Sequence, residues 1–247
     1  MKIKVILCLL LFTLISNSDA KEIKIGLEVY EPYYVYEDGP GILPQLISAV
    51  FNHIPEHQPK FVYNLPNKRI LVSFQNNLLD AAPNMSKETE FDGCLSDPIF
   101  KYQNVAITKR NSNLQLNKIS DLTDKSIVTF RGARAVLGEG FNQIVSDDNF
   151  IEVKDLDQHV KMLTHGRMQV SILDKIIFMQ SVKDLNNDEL SIKDFKFHNL
   201  FKPHLTHMGF RDKSLCKPFN EALSKVIKSG EYDRIYNSAY EKLESER

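Results

Sequence analysis

Residues 104–130 read NVAITKRNSNLQLNKISDLTDKSIVTF, and this stretch divides the chain in two. Asn104–Thr108 (NVAIT) is an apolar strand by its composition and length. After Lys109-Arg110 the sequence turns polar, and Asn111–Asn117 reads as a connection. Ser126–Phe130 (SIVTF) is a strand again, and Arg131-Gly132-Ala133 is a tight turn into a helix. One strand-helix series therefore ends near residue 108 and a second begins beyond it.

The first series starts with Lys21–Leu27 (KEIKIGL), which alternates apolar and polar residues as a strand does. A loop rich in Tyr, Pro and Gly runs to Gly41. Leu43–His53 is apolar at helical spacing and stops before Pro55. Lys60–Asn64 is a short strand, Asn67–Leu79 a helix starting after Pro66, and Asp80–Pro83 leads into a third strand. In the second series, Asn149–Val153 is a strand and Leu156–Gly166 a helix with Gly166 as its C-terminal cap. Gln169–Leu173 (QVSIL) is a buried strand, and Asp174 caps the helix that follows. Near the C-terminus, Leu215, Phe219, Leu223, Val226 and Ile227 form one apolar face, Gly230 ends that helix, and Ile235, Tyr236 and Tyr240 mark another. Strand-helix alternation with short turns implies an α/β protein with parallel sheets covered by helices. Two such series imply two lobes.

Lys2 and Lys4 precede an apolar run, Val5–Ile15, and a polar stretch closing on Ser18-Asp19-Ala20. This is the three-part layout of a secretory signal peptide, residues 1–20, cut near Ala20. The run is shorter than the roughly 20 apolar residues a bilayer span needs. Cys8 lies ahead of the cut, which argues against a lipid-modified N-terminal cysteine. Removing Lys2, Lys4 and Asp19 leaves 29 basic and 31 acidic residues, a net charge of −2. No clustered basic excess suggests a nucleic-acid surface. Cys94 and Cys216 are the cysteines left after cleavage. In an oxidising compartment an even pair points to one disulfide, the alternative being two free buried thiols.

Five stretches in order carry a family likeness. They are Ile25-Gly26 with Tyr30-Glu31-Pro32-Tyr33; Leu95 through Phe100; Ile119-Ser120-Asp121-Leu122 with Ile127-Val128 and Arg131-Gly132; Gly166-Arg167 through Asp174; and Ser229 through Ile235. Together they resemble the extracytoplasmic solute-binding proteins of ABC importers, in particular the polar amino acid-binding group, bacterial solute-binding protein family 3. The resemblance implies a bilobed, type II periplasmic-binding-protein fold. Two parallel or mixed sheets flanked by helices would be joined by a two-strand hinge, around 106–110 and 206–210. Lobe 1 would take 21–108 and 204–247, and lobe 2 would take 109–203. Both mature cysteines would then lie in lobe 1, where they can pair. The resemblance also implies a monomeric periplasmic protein without cofactor. Its partners would be a small polar solute, an amino acid or a related molecule, and the membrane subunits of an importer or a membrane sensor.

The cleft of such a receptor must offer an anion site and a cation site to a zwitterion. The Arg131-Gly132-Ala133-Arg134 turn opens a helix, whose free N–H groups favour negative charge, and Arg134 offers a bidentate guanidinium. The plainer reading is that Arg131 and Arg134 are solvated surface charges. Asp174 matches the family position that takes the ligand's amino group; it is equally placed to be an N-cap. Tyr30, Tyr33, Tyr34 and Tyr36 crowd one loop, and Tyr30 matches the family's stacking aromatic, though alternate Tyr side chains also serve as packing. Asn84 and Ser86 offer hydrogen bonds. One departure stands out. Where the family usually has T-x-x-R to grip the α-carboxylate, this chain has Ser86-Lys87-Glu88-Thr89, so Thr89 takes the Arg position. Lys87 lacks the planar fork. The resemblance offers Arg69 as a substitute, equally readable as a surface residue; the other alternative is a solute without a carboxylate.

Other classes find less support. His53-Ile54-Pro55-Glu56-His57 contains a Pro that breaks the helix a metal-binding H-E-x-x-H needs, and His204 and His207 fall on the expected hinge strand, so no metal site is expected. Neither a nucleophile elbow nor a catalytic-cysteine signature is present. An exported enzyme of the same fold, cyclohexadienyl dehydratase-like, is the alternative, with Glu28, Glu31 and Asp174 as available carboxylates.

Overall fold

The structure is a computed structural model that describes residues 20–36, 39–185 and 189–245. The expected signal peptide, apart from Ala20, lies outside the described residues. The strands are β1 (Lys21–Gly26), β2 (Val35–Tyr36), β3 (Gly39–Pro40), β4 (His57–Val62), β5 (Ala81–Met85), β6 (Cys94–Tyr102), β7 (Asn104–Lys109), β8 (Ile127–Phe130), β9 (Phe150–Val153), β10 (Val170–Asp174), β11 (Phe195–His198) and β12 (His204–Phe210). The helices are α1 (Ile42–Phe51), α2 (Asn67–Gln75), α3 (Ala133–Leu137), α4 (Glu139–Asn142), α5 (Asp157–Thr164), α6 (Lys175–Asp184), α7 (Cys216–Lys228) and α8 (Glu231–Ser245). None of the described helices is long and apolar enough to cross a membrane.

Two five-stranded sheets carry the fold, in the orders β4-β1-β5-β12-β6 and β11-β7-β10-β8-β9. In each, three neighbouring strands run parallel: β4, β1 and β5 in the first, and β9, β8 and β10 in the second. Two further strands close each sheet, the inner one antiparallel to its neighbour: β12 with β5, and β7 with β10. The two mixed sheets flanked by helices are the expected α/β, bilobed architecture.

The chain crosses between sheets at Gln103, which alone separates β6 from β7, and again through residues 199–203. β7 pairs with β10 and β11, so it belongs to the second sheet, and β12 belongs wholly to the first. The expected boundary near residue 108 and the expected hinge strands therefore shift to these two short crossings. The strand character of NVAIT is local, but its sheet is chosen by partners 60 to 90 residues downstream.

β6 runs unbroken through Pro98. A proline cannot donate to a ladder, but it is tolerated at a sheet edge, and β6 is an edge strand. The same holds for Pro59 in β4, at the opposite edge. α2 ends at Gln75 rather than Leu79, and Asn77 adopts a positive φ just beyond it.

The first lobe packs α1, α7 and α8 on its sheet, with Phe51, Phe210 and Phe219 meeting in the core. Ile176 and Met179 of α6 enter the same cluster, so one helix of the second lobe is rooted against the first. In the second lobe, β10 is buried along its whole length, as a central strand covered on both faces must be.

Cys94, opening β6, is bonded to Cys216, opening α7. The bond ties an edge strand to a packing helix within the first lobe. The residues are 122 apart in sequence, and closing so long a loop stabilises by about 5 kcal/mol in the chain-entropy model. Replacing both cysteines by Ser is expected to lower the melting temperature by at least several degrees. Non-reducing peptide mapping of the natural sequence should yield the Cys94–Cys216 linked peptide; two alkylatable thiols would refute the bond.

Candidate functional site

A cavity of about 420 Å3 lies between the two lobes. The first lobe contributes Glu28, Tyr30, Tyr34, Tyr102, His204 and Thr206 to its wall. The second contributes Asn104, Phe130, Val136, Leu156, Asp174 and Ile177. Glu28 and Tyr30 follow β1, Phe130 ends β8 and Asp174 ends β10, so the cavity sits at the carboxyl ends of parallel strands, where open α/β sheets bind ligands. Another hollow, of about 380 Å3, lies at α6, β11 and α8. Two of its cations are already engaged: Lys175 lies over the Phe197 and Tyr240 rings, and Arg110 donates to the carbonyls of Lys193 and Phe195. The cavity at the strand ends is the better candidate, because its polar groups converge where open α/β sheets bind ligands.

Asp174 is its most constrained residue, at 3% exposure. One carboxylate oxygen accepts the backbone N–H groups of Ile176 (2.9 Å) and Ile177 (3.2 Å), which makes Asp174 the N-cap of α6. The same oxygen accepts the hydroxyl of Tyr33 from the first lobe. The other oxygen accepts the N–H of Gln103 at the crossing, at 2.7 Å. Gln103 also donates its side-chain amide to the carbonyl of Phe201 on the second crossing, at 3.1 Å. One carboxylate thus joins a helix start, a hinge and the opposite lobe. Burial raises its pKa from 3.8 to about 6, against the four hydrogen bonds, which lower it.

Around it, Tyr33 makes edge-to-face contacts with Phe100 (4.9 Å) and Tyr102 (5.1 Å). Asn84, at φ +57°, donates to the Tyr34 hydroxyl and accepts from the Tyr102 hydroxyl at 3.0 Å. Burial drives the pKa of Tyr33 and Tyr102 well above the usual phenol range and that of Tyr34 up to about 12, so these hydroxyls stay protonated. Glu28 accepts the backbone N–H of Asn67 (2.8 Å) and its side-chain amide (3.0 Å) at the start of α2. Burial raises the Glu28 pKa, opposed by the Asn67 backbone bond.

Of the residues singled out from sequence, Tyr30, Tyr33, Asn84 and Asp174 line the cavity. Asp174 caps α6 and also lines the cavity. Tyr34 also lines it, as part of the hydrogen-bonded wall, whereas the side chain of Tyr36 lies outside the described residues. Five others stand apart. Arg69 is exposed on α2. Ser86 and Thr89 bond each other in a turn, with their hydroxyls 3.2 Å apart. The Gly132 N–H donates to Glu152 at 2.9 Å. Arg134 pairs with Asp147 at 3.2 Å and lies over the Phe150 ring, the surface-charge alternative considered for it. Tyr102, His204 and Thr206 are additional wall residues without a local sequence signal. Glu28 had one: α2 begins after Pro66 with no Ser, Thr, Asp or Asn as its cap, so its orphan N–H groups need an acceptor from elsewhere.

No protein-family model and no curated protein matches this chain. Solved structures do. An ancestral arginine-binding protein bound to arginine matches with a TM-score of 0.63 and 19% identity, over 89% of this chain and 98% of that one. The GluR0 ligand-binding core from Nostoc punctiforme in complex with L-glutamate matches with a TM-score of 0.63 and 16% identity, over 88% and 99%. A histidine kinase sensor domain with similarity to periplasmic binding proteins matches with a TM-score of 0.65 and 13% identity, over 89% and 96%. The likeness bears out the expected resemblance at the level of the fold: the chain is built as these proteins are.

The Asp174 shift has a signed consequence. Its pKa is about 6 folded and 3.8 as the reference for the unfolded chain. The folded state therefore holds more protons in that window, and stability from this group falls as pH rises from about 4 to about 6. The full effect is about 3 kcal/mol. Comparing urea unfolding of the natural chain with Asp174→Asn across pH 4–7 should show the difference between them changing in that window. A difference independent of pH would remove Asp174 as a buried titrating group.

Proposed function

We propose that this protein is an extracytoplasmic solute-binding protein, which closes its two lobes over a small polar solute and delivers it to the membrane subunits of an ABC importer. The observation that carries this reading is the cavity walled by both lobes, with the hinge crossing at Gln103 hydrogen-bonded to a cavity carboxylate. A solute touching both walls binds the closed arrangement better than the open one, and so shifts the population toward closure. The basic, apolar and small-residue layout of residues 1–20 supports export to the periplasm, where a Cys94–Cys216 bond is at home.

A second reading is favoured by the likeness to a histidine kinase sensor domain. In that case the closed form docks on a membrane sensor instead of an importer, and the same cleft serves both. A catalytic role has less support. The oxygens of Glu28 and Asp174 accept N–H or O–H donors, and capping the starts of α2 and α6 accounts for both carboxyls.

The deciding experiment is a thermal-shift screen of amino acids, amines, polyols, sugars and organic acids with the exported chain. A ligand near a hundred times its Kd stabilises by about 2.7 kcal/mol, which is readily seen. For any solute found, small-angle scattering should show a smaller radius of gyration with the solute bound. Asp174→Ala should weaken its binding at least tenfold, about 1.4 kcal/mol. A panel without a single binder would end the proposal.

A further inference from the structure

Three stretches that open helices at or beside the cavity present main-chain N–H groups, and each is already taken by a carboxylate of the chain itself. Glu28 occupies the start of α2. Asp174 occupies the start of α6. Glu152 takes the Gly132 N–H in the turn between β8 and α3, whose neighbours Phe130 and Val136 line the cavity. Such N–H groups are the usual seat of a bound carboxylate or phosphate. No Lys or Arg is among the described residues of the wall. Arg134 is spent on Asp147 and Phe150, and Arg69 is exposed on α2. A carboxylate on the solute would therefore meet neutral hydroxyls and amides, with Glu28 and Asp174 opposing it.

The same wall suits a cation. Its two carboxylates carry negative charge without a cationic partner in the cavity. Tyr30, Tyr33, Tyr34, Tyr102 and Phe130 are among its lining residues, and aromatic faces attract ammonium groups. Val136, Leu156, Leu173 and Ile177 supply an apolar side for the body of the molecule. His204, exposed at the wall, is the one other titratable side chain there besides the tyrosines.

We infer that the solute is a small organic cation, a primary or quaternary amine on an apolar body, that lacks a carboxylate. The inference rests on the solute-binding reading and narrows its ligand class. It sets this cleft apart from one that grips the α-carboxylate of an amino acid.

The test uses pairs that differ by the carboxylate: agmatine and arginine, cadaverine and lysine, tyramine and tyrosine, choline and glycine betaine. Calorimetry with the exported chain is expected to show at least one amine binding, with its carboxylate-bearing partner at least tenfold weaker. Glu28→Gln keeps an oxygen for the Asn67 N–H while removing the charge. It should weaken that amine at least tenfold and leave the circular dichroism spectrum unchanged. Equal or tighter binding of the acid partner overturns the inference, as does an amine indifferent to Glu28→Gln. If no amine binds but a neutral or acidic solute from the wider screen does, the cation inference falls and the solute-binding reading stands. If nothing binds at all, both fall.

Discussion

The buried carboxylate of Asp174 is the constraint on which the relation between the lobes depends. It accepts donors from α6, from the crossing at Gln103 and from Tyr33 of the opposite lobe. An ionised carboxylate at 3% exposure is tolerable only when its oxygens are satisfied in this way. Removing any one donor exposes a desolvated acceptor, so the three parts are held in register by a shared penalty. The arrangement also makes the hinge and the cavity wall one object. A displacement of Gln103 moves the group that a solute meets.

The Tyr33 hydroxyl reaches Asp174 because its ring is fixed from behind. Phe100 and Tyr102, both on β6, meet it edge to face, and Phe100 packs in turn on Tyr236 of α8 at 5.6 Å. β6 is an edge strand with a proline in it, and such a strand has one ladder neighbour to hold it. The Cys94–Cys216 bond supplies a second restraint by joining its first residue to α7. A covalent link at the start of the strand that carries Tyr102 thus steadies the first-lobe face of the cleft. On the other side, Ile176 and Met179 root the start of α6 in the first lobe's core. The lobes thus meet through packed side chains as well as through the crossings.

The strand and helix order could be read from sequence because period and turn chemistry are local. Asp174 was readable for the same reason, since a buried strand followed by an acidic residue and an apolar helix announces a cap. What could not be read was decided by distant partners. β7 looks the same whichever sheet it joins, and its sheet is set by β10 and β11. Arg134 opens a helix next to a glycine, yet Asp147 and Phe150 turn it away from the cleft. Thr89 sits where an arginine was expected, and closes a turn with Ser86 instead. The uncapped start of α2 announces that an acceptor is needed, but that Glu28 supplies it from 39 residues away is decided by the fold.

That last pairing bears on why the usual carboxylate clamp is missing. A helix start has few free N–H groups, and an anion held there excludes a second one by repulsion and by occupancy. With Glu28 seated at α2 and Asp174 at α6, a solute carboxylate has lost two of its seats before any arginine is considered. Thr89 closes a turn with Ser86 and is not among the wall residues, so an arginine added there alone would leave the wall carboxylates as they are. The replacement of arginine by threonine and the inward placement of Glu28 are therefore compatible parts of a single electrostatic arrangement. In it the negative charge belongs to the protein, and the positive charge arrives with the solute.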